Sequence, residues 1–132
     1  MRPPPTDAKG FTLLELITVI IIIGILVAMA LPQFRVAIVE SREAVLKEDL
    51  FRFRETIDQY QADKGRYPAS LQALVADGYL RAIPNDPVTG AADWKEIPAD
   101  PDPDAPNDPP GVGDVKSSSA ELSLGGSPYS EW

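Results

Sequence analysis

One carboxylate, Glu15, stands in the stretch AKGFTLLELITVIIII (residues 8–23), at the head of a run from 16 to 31 that carries no charge at all. An ionised side chain in hydrocarbon costs on the order of 2.5–3.5 kcal/mol at mid-depth and less near the interface. The chemistry open to Glu15 is therefore charge pairing: a buried carboxylate is tolerated when a cation is brought against it. Little else in the chain is reactive. It has no histidine and no cysteine, which removes the commonest general base and the thiol nucleophile, and it has no Gly-x-Ser-x-Gly elbow. The chain is read as a non-enzyme. Five aspartates and six prolines share residues 98–114, PADPDPDAPNDPPGVGD. Clustered carboxylates are calcium chemistry, but alternating Asp-Pro without a glycine turn is not a calcium loop, and a solvent-facing loop is expected here.

Positioning Glu15 falls to the apolar run itself. Phe11 to Leu31 is 21 residues, or about 31 Å of helix, which matches a hydrocarbon core of about 30 Å. Arg2 and Lys9 precede it, so a single membrane span with a cytoplasmic N-terminus is the first reading. A cleaved signal peptide is the second, with 16–27 as its apolar region and Ala28-Met29-Ala30 as its A-x-A site. Two acids, Asp7 and Glu15, cancel the basic residues that reading needs, and helical pattern continues past the site. A buried core helix ranks last, because so small a domain cannot enclose sixteen uncharged residues on every face.

Beyond Pro32 the pattern turns amphipathic. Val39, Leu46, Leu50, Phe53, Ile57 and Tyr60 lie on one helical stripe, expected to be a seam against the chain's own globular domain. Glu43 with Lys47, Glu48 with Arg52, and Arg54 with Asp58 are spaced i,i+4 as a solvated charged face. Gly65 ends the helix in the left-handed region, making Phe11–Lys64 roughly 80 Å of helix. Gly24 and Pro32 are its weak points, since Pro32 lacks an amide hydrogen and crowds the carbonyl of Ala28. Further on, Ser70 caps a short helix with Leu71, Leu74 and Val75 inward and Gly78 at its close. NDPVTG is a turn, and ADWKEI at 92–97 is a strand. The residues from Arg66 to Trp132 hold eleven acids against four bases, a net −7 of the total −8. That balance excludes a nucleic-acid surface, which needs a basic patch.

GFTLLELITVIIIIGILVAMALPQF, Gly10 to Phe34, closely resembles the N-terminal segment of type IV pilins and type II secretion pseudopilins. The resemblance rests on Lys9-Gly10, Phe11, the Thr-Leu-Leu-Glu-Leu run, the aliphatic stretch and the far proline. YPASLQALVADGYLRAIPNDPVTG, 67–90, resembles the outer domain of the G-type, or major, pseudopilins, and the lack of cysteine agrees with that subgroup. The resemblance implies an α+β pilin-like fold: a prepilin leader over 1–10, a transmembrane half-helix over 11–31, an amphipathic half over 32–64, and a small periplasmic domain over 65–132 with few short strands. It implies cleavage after Gly10, methylation of the new amine on Phe11, and pairing of Glu15 with that amine on a neighbouring subunit. It implies loosening of the helix between Gly24 and Pro32 as the subunit leaves the membrane. The implied function is structural: a subunit of a type II secretion pseudopilus in the bacterial inner membrane, with a filament form in the periplasm. The alternative within the same superfamily is a type IV pilus subunit for adhesion, motility or DNA uptake. The implied partners are other copies of the chain, minor pseudopilins, the prepilin peptidase, an inner-membrane assembly platform and the lipid bilayer.

The tail, DVKSSSAELSLGGSPYSEW, resembles the family's C-terminal region, which wraps a calcium ion in major pseudopilins. Here Ala120-Glu121 replaces an aspartate soon after the serines, and Gly125-Gly126-Ser127 stands where a second is expected. Ser117 and Glu121 remain as weak calcium candidates, and no metal or cofactor is assigned.

Overall fold

The computed structural model describes residues 1–2 and 10–132, so residues 3–9 of the expected leader lie outside it. The backbone falls into two units, Met1–Ile38 and Val39–Trp132. One element, helix α1 (Leu13–Lys64), contributes to both.

In the first unit α1 begins behind Thr12, whose Oγ1 accepts the Glu15 amide at 3.2 Å. Thr-x-x-Glu at a helix start is a capping box, and Glu15 in the first turn also complements the positive end of the helix dipole. The helical backbone then runs without a break through Gly24 and Pro32. Its apolar side chains are open on every side; Ile20, for example, is 59 % exposed. This is the one helix among the described residues that is long and apolar enough to cross a membrane.

The second unit holds the hydrophobic core. From α1 come Leu46, Leu50, Phe53, Ile57 and Tyr60, all buried, five of the six residues of the expected stripe; Val39 is half-exposed. Gly65, at φ 70°, ends the helix with its amide on Gln61 O at 2.8 Å. Helix α2 (Leu71–Ala76) starts at Ser70, whose hydroxyl accepts the Ala73 amide. It buries Leu71 and Leu74, and Gly78 closes it at φ 80°. Glu96 completes the start of α2 by accepting the Leu71 amide at 2.9 Å.

Two antiparallel strands close the core, β1 (Lys95–Pro98) and β2 (Val112–Lys116), in the register Lys95↔Lys116 and Glu96↔Val115 with an irregularity at Ile97/Pro98. Strand β1 starts three residues later than expected, and β2 begins inside the stretch expected to be loop. Val112 and Val115 are buried, and that burial draws the end of the Pro/Asp stretch onto the core. Gly111 and Gly113 permit it: a Cβ on either would lie within 2.9 Å of Tyr67-Pro68 or of Ala99. Trp94 packs edge-on against Phe53 with ring centres 5.0 Å apart and donates its indole N–H to Pro84 O.

Candidate functional site

Of the residues singled out in the sequence, Phe11, Glu15, Gly24 and Pro32 belong to the first unit, and Phe11 is 83 % exposed. Glu15 is exposed as well, and the bond formed by its residue is the local one from its amide to Thr12. The capping box was visible in the sequence as Thr12-x-x-Glu15. The half of it that the structure shows, Thr12 Oγ1 accepting the Glu15 amide, caps the first turn of α1, a role that a reading in terms of charge alone passes over.

In the second unit a buried polar assembly was not anticipated. Glu43 was expected to face solvent beside Lys47. Instead it is 9 % exposed, and its Oε1 accepts both the Leu124 amide at 2.7 Å and the Tyr129 hydroxyl at 3.0 Å. Lys47 lies over the Trp132 ring, its Nζ 4.7 Å from the centre. Arg54, expected to pair with Asp58, reaches Asp114 at 2.8 Å and Trp132 O at 3.0 Å. Glu48 and Arg52 pair as expected at 2.9 Å, fully on the surface. The two expected pairs give way to partners from elsewhere in the fold, and little is lost by that, since an exposed i,i+4 pair is worth only about 0.3–0.5 kcal/mol.

The NDPVTG turn and the residues just after it supply two more carboxylates, Asp86 and Asp93. Asp86, wholly buried, accepts the Val88 amide through Oδ1 and the Ser117 hydroxyl through Oδ2 at 2.5 Å. Asp93 accepts Thr89 Oγ1 at 2.5 Å and Ser118 Oγ at 2.8 Å. The hydrogen bond from Thr89, followed by that from Ser118, holds the Asp93 carboxyl below the usual carboxylate range. Burial, followed by the bond to Glu43, pushes the Tyr129 hydroxyl up. The sequence signal for this assembly is slight. Serines 117–119 and the Asx turn at Asp86 are each locally legible, but their pairing across 31 residues is not.

A concavity of about 810 Å³ lies where Tyr60 and Tyr67 face Asp100, Asp102 and Asp108. Its lining has no serine, threonine, lysine or histidine to form a nucleophile–base pair. Among the described residues, no three of His, Cys, Asp and Glu gather where one ion would bind them.

The family model for the prokaryotic N-terminal methylation motif matches residues 6–31. The chain is 33% identical over 95 residues to the type II secretion system core protein G of Pseudomonas aeruginosa, covering 60% of this chain and 67% of that protein. It is also 33% identical over 98 residues to that of Klebsiella michiganensis, covering 62% and 69%. Fimbrial protein EcpC of Eikenella corrodens is 41% identical over 80 residues, covering 57% of this chain and 52% of its own length. No solved structure matches.

Proposed function

The chain belongs to the type II secretion system core protein G family, and from that premise we propose that it is a structural subunit of a secretion pseudopilus, a membrane-anchored chain that polymerises and carries no catalytic chemistry of its own. One observation carries the reading: the methylation motif spans residues 6–31, and within it Gly10-Phe11 and Glu15 lie directly before the uncharged, exposed part of α1. In the proposed pathway a prepilin peptidase cuts between Gly10 and Phe11 and methylates the new amine. The first part of α1 then anchors the subunit in the inner membrane, with the second unit on the periplasmic side.

Charge supplies the assembly rule. Cleavage creates an ammonium at Phe11. In a filament core the Glu15 carboxylate of one subunit is stabilised when the ammonium of a neighbour meets it, while a wrong axial stagger leaves both charges unpaired in an apolar medium. Glu15 thus sets register as well as affinity. Minor pseudopilins and an inner-membrane assembly platform are the proposed partners besides the chain itself. Between Gly24 and Pro32 the helix is continuous here, and the missing amide of Pro32 makes that stretch the place where it would loosen on leaving the bilayer.

The experiment is the mature N-terminus, by intact-mass and terminal-peptide mass spectrometry of membrane-extracted native protein. A chain beginning at methylated Phe11 supports the reading; one beginning at Leu31 means an ordinary signal peptide and ends the role of Glu15. The identity to a fimbrial protein favours a second reading, a surface pilus. Deletion separates the two: loss of secretion with no loss of surface fibres fits the pseudopilus, and the reverse fits the pilus.

A further inference from the structure

The family resemblance implies a calcium ion in the C-terminal segment, and the residues of this chain do not fit one. Calcium takes six to eight oxygen ligands. The Ser117 hydroxyl, wholly buried, is spent on Asp86 Oδ2 as a donor and on the Ser119 amide as an acceptor. Glu121 is exposed, and its backbone carbonyl takes the Tyr129 amide at 3.0 Å. The Ser123 and Ser127 carbonyls take the Gly126 and Ser123 amides at 2.9 and 2.8 Å. The Ser117 hydroxyl and these carbonyls are already accepting from the protein, which leaves the exposed Glu121 carboxylate as the one side-chain anion between 117 and 129, far short of the set calcium takes.

We infer that the C-terminal segment from Ser117 to Tyr129 is closed without a divalent cation, by three carboxylates of the chain itself. Asp86 and Asp93 hold its beginning through Ser117 and Ser118. Glu43 holds its end through the Leu124 amide and the Tyr129 hydroxyl. Between these points the segment closes on itself through the Ser123–Ser127 hydroxyl contact at 3.2 Å and the Leu122↔Pro128 bridge.

The polarity of this clasp is the reverse of a metal site. A cation gathers carbonyls and carboxylates, whereas here anionic oxygens receive N–H and O–H donors in charge-assisted bonds. An ion placed on Asp86 or on Glu43 Oε1 would compete with those donors, and displacing them would leave buried groups without partners. Glu43 is the positioning residue. It is the acceptor that ties the far end of the segment to α1, and no part of the metal-site pattern in the sequence draws attention to it.

The test uses the full chain in detergent, unfolded by heat and followed by the fluorescence of Trp94 and Trp132. With EGTA or with millimolar calcium alone, the midpoints should agree to about 1 °C, and calorimetric titration with calcium should show no saturable heat. A calcium-specific rise of roughly 4 °C or more, or a saturable heat, overturns the inference, because a ligand that binds only the folded state must raise its midpoint. Glu43→Gln should lower the midpoint equally in EGTA and in calcium and speed proteolysis within 117–129. Wild-type protection in that variant would remove Glu43 from the clasp. Ser118→Ala, which deletes one exposed bond, is the milder companion should Glu43→Gln fail to fold; its smaller loss must likewise be indifferent to calcium. Neither readout involves assembly, so the clasp and the filament reading stand or fall by separate measurements.

Discussion

Gly111→Ala tests the packing that seats the Pro/Asp stretch. Gly111 is not among the residues with positive φ, so conformational freedom is not what fixes glycine there. Space is: a Cβ would lie 2.7 Å from Pro68 O and from Tyr67 Cβ, and 2.8 Å from the Tyr67 carbonyl carbon. Ordinary contact needs about 3.5 Å or more. Two of these three atoms are backbone, so no side-chain rotation relieves the overlap. Relief means moving β2 away from Tyr67-Pro68, which strains two short hydrogen bonds, Val112 N to Pro68 O and Ala99 N to Gly111 O, both 2.7 Å. Overpacking costs about 1–3 kcal/mol and each weakened bond about 0.5–1.5, so a loss of roughly 2–4 kcal/mol is expected. For a domain of this size that lowers the midpoint by roughly 10–25 °C. The control is Gly125→Ala, whose Cβ would meet nothing closer than Ser123 Oγ at 3.7 Å and which should stay within about 0.5 kcal/mol. The assay is denaturant unfolding of the full chain in detergent, read by near-UV circular dichroism. A Gly111→Ala variant as stable as the Gly125→Ala control would refute the steric argument.

Leu46 is wholly buried, so Leu46→Ala should cost about 2–5 kcal/mol in the same assay, while Phe51→Ala, at a position 61 % exposed, should cost about 0.5 or less. In the proposed filament Glu15→Gln keeps a side chain that can complete the capping box but removes the charge; membrane insertion and helix content should hold while assembly, read by crosslinking and electron microscopy, fails, and normal filaments from this variant would sink the pairing rule. Tyr129 predicts alkaline behaviour: its folded pKa lies above the unfolded value of about 10, so the stability it contributes is fully present below about pH 10 and is lost as pH rises through the folded value. Absorbance at 295 nm against unfolding midpoint checks this, and Tyr129→Phe should reduce the coupling to what Tyr79, whose hydroxyl is also pushed up by burial and its bond to Asp63, still contributes.

What could be read from the sequence was whatever local spacing encodes. Leu46, Leu50, Phe53, Ile57 and Tyr60 follow from helical period, and Ser70 and Gly78 from capping chemistry, because each signal lies within a few residues of its effect. Strand β2 was hidden, since Val112 is flanked by glycines and follows a proline pair; only the distant β1 makes it a strand. Glu43 was misread for a related reason. Its competing partners, Lys47 and the Leu124–Tyr129 pair, differ in sequence separation from 4 to more than 80 residues, and spacing arguments see only the near one. At the N-terminus the family motif points to Gly10, Phe11 and Glu15 together, whereas the cap at Thr12 is a separate, local signal that depends on place in the first turn and not on charge.

Helix α1 carries two carboxylates whose costs are met in different ways, and the difference decides where each one shows itself. Glu43 is buried, and donors from its own chain accept the role of counter-group; its loss is a folding event, visible in an isolated subunit. For Glu15, among the described residues, the structure gives its amide's bond to Thr12, and in the proposed filament its charge would be offset by a second subunit. Glu15→Gln should then be silent in the unfolding of the second unit, and Glu43→Gln should weaken that unit by the same amount whether residue 15 is Glu or Gln. Sites this independent should be additive to about 0.5 kcal/mol in a double-mutant cycle. A larger coupling in the monomer would mean that Glu15 helps to fold the chain, and the register rule built on its pairing between subunits would lose its physical basis.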